Sequence, residues 1–341
     1  MLLADFDYEL PAERIAQTPV MPRDSARLLV DQGPAEPLHR HFRDLGEMLR
    51  PGDLLVVNDS KVIPARLRLH RASGGAAEVL LLEPIRDPTL NGSRRTWEAL
   101  IRPGKRLKVG EQLLGSTGTP LVEIGARTPA GDTFAVTILG DRDPLDVLAE
   151  HGDMPLPPYI ATPLTTEGRY QTVYANEPGS AAAPTAGLHF TPELLASIEL
   201  AGVGVARVEL VVGLDTFQPM TVDDPLQHQI HSERYRVGAD VLDACRAAKR
   251  VIAIGTTATR ALESAATFGE LEGRTRLFIH RGYEWKLVDL LVTNFHLPKT
   301  TLLMMIDAFV GPRWRRLYDD ALAGDYRFLS FGDAMLLNRH L

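Results

Sequence analysis

The 341-residue chain carries 37 Lys and Arg against 44 Asp and Glu, a formal net charge of -7, with 45% hydrophobic and 24% charged residues. That balance is ordinary for a globular protein with room for two domains; the acidic total argues against a generic nucleic-acid binder but leaves room for a local basic face. The one cysteine, Cys245, excludes an internal disulfide and a cysteine-based zinc site, and suits a reducing compartment.

In chain order, residues 13–16 read as a short helix stopping before Pro19, and 23–30 run from a charged turn into a strand. Residues 39–49 predict a helix with Phe42, Leu45 and Leu49 on one face, ended by Pro51-Gly52. The apolar run 53–58 predicts a buried strand, and Asn58-Asp-Ser-Lys61 a polar turn. Between 67 and 138 the texture changes. Short β-type runs (77–82, 96–101, 111–114, 120–124, 133–139) alternate with Gly- and Pro-rich turns. Strands at that spacing predict a small antiparallel barrel or sandwich. The expected organisation is a discontinuous α/β catalytic domain, residues 1–66 and 152–341, carrying an inserted β-barrel domain, residues 67–151. Residues 143–151 read as a helix leading back, and the Pro-rich stretch 155–160 as extended chain.

The stretch 181–195 concentrates signals. Gly187 permits a sharp turn, His189 and Phe190 follow, and Thr191, Pro192 and Glu193 start a helix. A His beside a helix N-terminus sits near an anion site, and the dipole favours its neutral form. The alternative is a loop His bonded to backbone. Further on, 203–212 predicts a strand, and 225–233 a polar loop with His228, His231 and Glu233. A helix over 240–249 and a buried strand over 250–254 follow. Gly255-Thr-Thr257 reads as a tight turn before a helix, 258–268, that presents Arg260 and Glu263. Residues 286–293 predict a strand, Asn294-Phe-His-Leu-Pro298 a loop, and 301–310 an apolar helix ended by Gly311-Pro312.

Strand, polar turn and helix thus recur, the α/β pattern in which ligands gather beyond the carboxyl ends of strands. Three polar turns are candidates for one site: Gly187-Leu-His189, Gly255-Thr-Thr257 and Asn294-Phe-His296. No Walker A loop, G-x-G-x-x-G fingerprint or G-x-S-x-G elbow is present. His228, His231 and Glu233 resemble a metal cluster, but their polar loop offers no clear further ligand, so no metal is expected. The N-terminal stretch has no signal-peptide pattern and no apolar run spans a bilayer, so the expectation is a cytoplasmic protein without membrane contact. The residues alone lead to an α/β enzyme with a His-, Thr- and Asn-rich cleft.

Several ordered motifs carry more: Asp5-Phe-Asp-Tyr-Glu-Leu-Pro11, Asn58-Asp-Ser-Lys-Val-Ile-Pro-Ala-Arg66, Pro155-Leu-Pro-Pro-Tyr-Ile160 and Tyr170-Gln-Thr-Val-Tyr174. They continue in Ala183-Pro-Thr-Ala-Gly-Leu-His-Phe190, His231-Ser-Glu233, Gly255-Thr-Thr257, Thr293-Asn-Phe-His-Leu-Pro298 and Phe331-Gly-Asp-Ala-Met335. Nearly end to end, the chain resembles the S-adenosylmethionine:tRNA ribosyltransferase-isomerase family of queuosine biosynthesis. The resemblance implies an α/β domain with an inserted β-barrel and S-adenosylmethionine as co-substrate. Its ribosyl part is transferred and isomerised onto the aminomethyl group of a 7-deazaguanine in tRNA. Adenine and methionine leave, and an epoxycyclopentane remains. A monomer is expected. That chemistry needs a base for the acceptor amine and a donor for departing adenine. The titratable candidates are His189, His296, Glu233 and Asp333. Thr185, Thr256, Thr257 and Asn294 are candidates to orient the ligand, with Arg66, His231 and Arg260 in the substrate-binding set. Phe190, Tyr170 and Phe295 are candidates to stack on a base, with core packing as the alternative.

One departure stands out. The family usually reads Leu-His-Val-Gly-x-Gly-Thr-Phe where this chain has Leu210-Val-Val-Gly-Leu-Asp-Thr-Phe217, so Val211 replaces a His and Asp215 a Gly. Asp215 is therefore expected to favour a cationic partner. Two further readings stay open: an enzyme acting on a free deazapurine or other small acceptor, and a non-catalytic paralogue that binds tRNA or a nucleoside. Arg102, Lys105, Arg106 and Lys108, and separately Arg313, Arg315 and Arg316, are candidate phosphate contacts or solvated patches.

Overall fold

The computed structural model describes residues 1–341 apart from 86–94, 105, 106, 130, 165, 214–219, 221, 229 and 231. The strands begin with β1 (Arg27–Val30), β2 (Leu38–His41), β3 (Leu54–Asn58), β4 (Ser60–Val62), β5 (Arg66–Arg71), β6 (Ala76–Pro84), β7 (Thr96–Arg102), β8 (Gln112–Leu114), β9 (Pro120–Arg127) and β10 (Phe134–Ile138). They continue with β11 (Gly152–Asp153), β12 (Glu177–Ser180), β13 (Gly204–Leu210), β14 (Glu233–Val237), β15 (Val251–Ile254), β16 (Glu272–Thr275), β17 (Leu290–Asn294) and β18 (Ala334–Asn338). The α-helices are α1 (Leu45–Met48), α2 (Pro144–His151), α3 (Pro192–Leu200), α4 (Ala239–Ala247), α5 (Gly255–Phe268), α6 (Thr301–Val310) and α7 (Trp314–Ala323). The chain divides into two compact units: Met1–Ser60, Pro157–Glu177 and Ala183–Leu341 in the first, Lys61–Leu156 and Pro178–Ala182 in the second.

The first unit is built on a nine-stranded mixed sheet, ordered β16-β14-β13-β3-β15-β17-β18-β1-β2 among the described residues. Its centre is parallel: β13, β3, β15 and β17 run the same way. A parallel centre is covered on both faces, which is why these strands are apolar runs rather than alternating ones. Every residue of β3, β15 and β17 is buried. Leu55, Val57, Ile252, Ile254 and Val292 pack with Phe42, Phe190, Leu194 and Ile198 in one core cluster. Thr191 caps its helix as expected, its Oγ1 accepting from the Leu194 N–H at 3.1 Å, and Thr300 Oγ1 likewise accepts from that of Leu303 at 3.3 Å.

The helix expected over 39–49 is replaced by β2, a 3₁₀ turn (Phe42–Asp44) and the single-turn α1. The reason is tertiary: His39 and His41 pair with Leu29 and Arg27 of β1, and the turn then buries Phe42 and Leu45. Three apolar residues at helical spacing do not outweigh that pairing.

The second unit settles the choice between barrel and sandwich. β5-β6-β7-β10-β9-β8 follow one another, β8 pairs back onto β5, and β11 adds to β5. The closed barrel needs one inward and one outward side chain in turn. Hence β7 and β10 alternate buried and half-buried residues, with Trp97, Ala99, Ile101, Phe134, Val136 and Ile138 inside.

Candidate active site

A cleft opens at the carboxyl ends of the parallel strands of the first unit. It is lined by Val212 after β13, by Gly255, Thr256 and Thr257 after β15, and by Thr293–Leu297 around the end of β17. Pro184, Thr185 and Ala186 form another wall, and Tyr159 and Ser330 reach it as well. It encloses about 590 Å³ of empty space, the open mouth included. Two of the three polar turns picked out from the sequence, Gly255-Thr-Thr257 and Asn294-Phe-His296, therefore do meet, whereas the third contributes Pro184, Thr185 and Ala186 in place of Gly187-Leu-His189.

Gly255-Thr256-Thr257 is not a separate turn. β15 runs straight into α5, and Gly255 adopts φ +86, the left-handed conformation that makes this sharp junction accessible to glycine. No side chain caps α5, and its first turn holds no acidic residue. Its leading N–H groups consequently face the cleft without a protein anion.

Asn294 closes β17 and organises the wall beside it. Its Nδ2 donates to the Asp333 carbonyl at 3.3 Å, which fixes the amide orientation. Oδ1 then accepts from the Thr185 hydroxyl at 2.9 Å, and Nδ2 also reaches His189 Nε2 at 3.2 Å. An amide N–H against Nε2 makes that nitrogen the acceptor, so the His189 proton sits on Nδ1, which bonds the Arg23 backbone. Burial, and secondly the Arg327 guanidinium, push the His189 pKa down to about 4, against the opposing Arg23 hydrogen bond.

His189 is thus neutral, as expected, but because of burial rather than a helix dipole. It also does not line the cleft: it is 4% exposed and stacks at 4.9 Å on Phe42. Gly187 likewise serves packing, since a Cβ there would lie 1.9 Å from the Tyr174 hydroxyl.

His296 is the imidazole that does line the cleft. Its Nε2 lies 3.0 Å from Thr293 Oγ1, and burial pushes its pKa down to about 3. Its backbone is clamped from both sides. The Tyr8 hydroxyl donates to the His296 carbonyl at 2.5 Å, and the His296 N–H donates to the Tyr318 hydroxyl at 3.0 Å.

Other candidates are placed elsewhere. Asp333 is 3% exposed and accepts from the Arg27 and Arg327 N–H groups, both at 2.8 Å, so its carboxylate holds backbone. Glu233 accepts from the Gly213 N–H at 3.2 Å and pairs with Arg260. The proposed stacking aromatics are all fully buried. Phe190 meets Phe42 edge-on, Tyr170 meets Phe331, and Phe295 packs among Tyr318, Tyr326 and Phe328. Phe190 and Tyr170 lie outside the cleft lining, whereas Phe295 is buried in an aromatic cluster at its wall. Arg66 lies in the barrel unit, where it pairs with Glu78 at 3.7 Å. Val212, rather than Val211, lines the cleft. Asp215 and His231 lie outside the described residues, as do Lys105 and Arg106.

Sequence reading missed Tyr159 and Ser330, whose hydroxyls meet at 2.7 Å in the cleft wall. The Pro-rich run around Tyr159 was the available signal. Among the described residues, no cluster of His, Cys, Asp and Glu could hold a metal ion.

A polar cleft at the carboxyl ends of a parallel sheet, in a chain that also carries a closed barrel, defines the class. The model of the queuosine biosynthesis protein family matches residues 3–337, and the chain belongs to that family. Its relatives carry a more particular name. A protein of Acaryochloris marina, S-adenosylmethionine:tRNA ribosyltransferase-isomerase, is 50% identical over 98% of this chain and 93% of its own. One of the same name from Symbiobacterium thermophilum is 48% identical over 99% of this chain and 100% of its own. Among solved structures, the S-adenosylmethionine tRNA ribosyltransferase of Thermotoga maritima matches with a TM-score of 0.54 and 36% identity, covering 97% of this chain and 99% of that one.

Proposed function

We propose that this protein is an S-adenosylmethionine:tRNA ribosyltransferase-isomerase. In this reading it moves the ribosyl part of S-adenosylmethionine onto the aminomethyl nitrogen of a 7-deazaguanine in tRNA, isomerising it to the epoxycyclopentane and releasing adenine and methionine. The observation that carries the reading is the convergence of Thr185, Thr256, Thr257, Asn294 and His296 on one cleft, in a chain matched along nearly its whole length by relatives of that name.

The residues suit the chemistry as far as they go. A neutral His296 held by Thr293 offers a ring nitrogen to a ligand in the cleft, either to donate to a departing adenine or to take a proton. Thr185 is oriented by Asn294 and presents a hydroxyl to the same space. His189 acts through Asn294 as a positioning residue.

Incubating the protein with S-adenosylmethionine and tRNA bearing the aminomethyl deazaguanine should release adenine and methionine together. The same incubation with the free base alone should release neither. Release with the free base but not with tRNA would overturn tRNA as acceptor. No release with either would leave a binding protein in place of an enzyme.

A further inference from the structure

Helix α5 begins in the cleft with two features that a self-sufficient fold would avoid. Thr257 is 9% exposed, lines the cleft, and its Oγ1 is buried without a hydrogen-bond partner. A helical threonine usually satisfies its hydroxyl on the carbonyl one turn back, as Thr259 does on Gly255 at 3.0 Å. One turn further along α5, Arg260 spends one guanidinium nitrogen, Nη1, on Glu233. Its Nε and Nη2 are buried and unpartnered, although Arg260 is not itself among the residues that line the cleft. Spacings of three from Thr257 and four from Thr256 put the three side chains on one helix face. Add the first turn that no side chain caps, and this patch gathers several donors without a protein acceptor: the Thr257 hydroxyl and the Arg260 Nε and Nη2.

Each buried donor left unpaired costs on the order of 1 kcal/mol or more, so a group of them marks the place of an absent acceptor. The acceptor's charge can be read from its surroundings. Glu233 already neutralises Arg260, which leaves the half-positive helix end and neutral donors. That field suits one negative charge better than two. The burial of Thr256 and Thr257, 7% and 9% exposed, suits a small terminal group rather than a polymer backbone.

We propose that the first turn of α5, with Thr257 and Arg260, is a carboxylate site, and that it holds the amino-acid carboxylate of S-adenosylmethionine. This rests on the functional reading above and adds which end of the co-substrate is held where. The methionine end docks on α5, and the sulfonium and ribose then extend toward the Thr185, Asn294 and His296 wall of the same cleft.

The test uses the full-length protein and two ligands that differ only in the carboxylate, S-adenosylmethionine and its decarboxylated analogue. Titration calorimetry of the wild type should show the analogue binding at least about tenfold more weakly, the scale of a lost charge-assisted contact. Thr257→Val, nearly isosteric, should weaken S-adenosylmethionine but not the analogue, so the ratio shrinks. Arg260→Gln should shrink it further, and should this variant unfold, Thr257→Val still decides the matter. Equal binding of the two ligands by the wild type would overturn the site, and would leave the functional reading standing so long as adenine is released. Displacement of S-adenosylmethionine by inorganic phosphate together with equal binding of the two ligands would assign the donors to a phosphate and overturn the carboxylate. If neither ligand binds, the functional reading falls, and the site with it.

Discussion

The start and the middle of helix α5 treat buried polar groups in opposite ways. Glu263, fully buried, accepts from the backbone N–H groups of Lys286 at 2.9 Å, Leu287 at 3.0 Å and Val288 at 2.9 Å, and from the Tyr283 hydroxyl at 2.9 Å. Beside it, Ser264 and Thr275 pair their hydroxyls at 2.6 Å. One turn earlier, Arg260 and Thr257 keep donors with no acceptor. The same helix is therefore finished at its middle and unfinished at its start. Saturated polar groups hold the chain leading into β17 in place, whereas unsaturated ones stand ready for something that is not protein.

The largest expected effect breaks the finished side. Glu263→Ala strips the acceptor from three backbone donors and a phenol at once, and should cost about 3–5 kcal/mol of unfolding free energy. Urea denaturation monitored by circular dichroism would measure it. A cost under about 1 kcal/mol would mean that water takes over the donors, and the contrast along α5 would lose its meaning.

Acid should act on the same class of saturated group. His189 and His296 are held neutral by burial, with pKa values pushed down to about 4 and about 3. The unfolded chain takes up a proton on each near pH 6.5, whereas the folded chain refuses it until much lower. Stability is therefore complete above pH 6.5 and drains away as pH falls toward 4, on the order of 3 kcal/mol for His189 alone. Melting temperatures from pH 7.5 to 4.5 should fall less steeply in His189→Gln than in wild type. Parallel curves would show that Arg23, Arg327 and the surrounding burial do not govern this imidazole.

Much of this contrast was hidden from the sequence, for physical reasons. The apolar runs at 53–58 and 250–254 announced buried parallel strands, because burial on both faces leaves a compositional trace. The short β-type runs from 67 to 138 likewise announced a small antiparallel barrel or sandwich. Arg260 and Glu263 read alike, as two charges presented by one helix. Only tertiary partners separate them, and those come from residues 233 and 283–288, distant in the chain. His189 looked like a catalytic candidate because its local setting, a Gly and a helix start, is what sequence reports. The packing of Phe42 against it and the Asn294 amide on its Nε2 are long-range facts. The burial of Phe190, Tyr170 and Phe295 in aromatic packing was hidden for the same reason.

The two histidines sharpen the comparison further, since one lines the cleft and the other stands behind it. His296→Ala should lower turnover roughly 100-fold, the usual scale of proton transfer, with little change in KM for S-adenosylmethionine. His189→Ala should lower turnover less and melt earlier, because it empties a packed position and frees the Asn294 amide. His189→Asn or His189→Gln, which can still accept from Asn294, should recover part of both losses. A larger turnover loss in His189→Ala than in His296→Ala, at equal stability, would reverse the two roles.

The smallest expected effect concerns the arginines near the C-terminal end. From the sequence, Arg313, Arg315 and Arg316 read as candidate phosphate contacts or a solvated patch. In the structure their guanidinium groups point at protein. Arg316 donates to the carbonyls of Gly33 at 2.6 Å, Pro34 at 2.9 Å and Ala35 at 2.7 Å. Arg313 holds Asp31 at 3.0 Å and the Asn338 carbonyl at 2.6 Å, and Arg315 reaches the carbonyls of Asp5 and Asp7. A guanidinium has five donors in a fixed fork, so one that staples three carbonyls is already aimed. These residues staple backbone through their terminal guanidinium nitrogens, while Arg316 Nε is left buried without a partner. Arg316→Ala should accordingly cost about 1 kcal/mol of stability, the net value of a few partly exposed hydrogen bonds. It should leave the dependence of tRNA affinity on salt nearly unchanged. A drop in the log–log salt slope of about one unit on removing Arg316 would instead count it as a phosphate contact. That result would move the arginine cluster from the stapling groups to the groups that await a ligand.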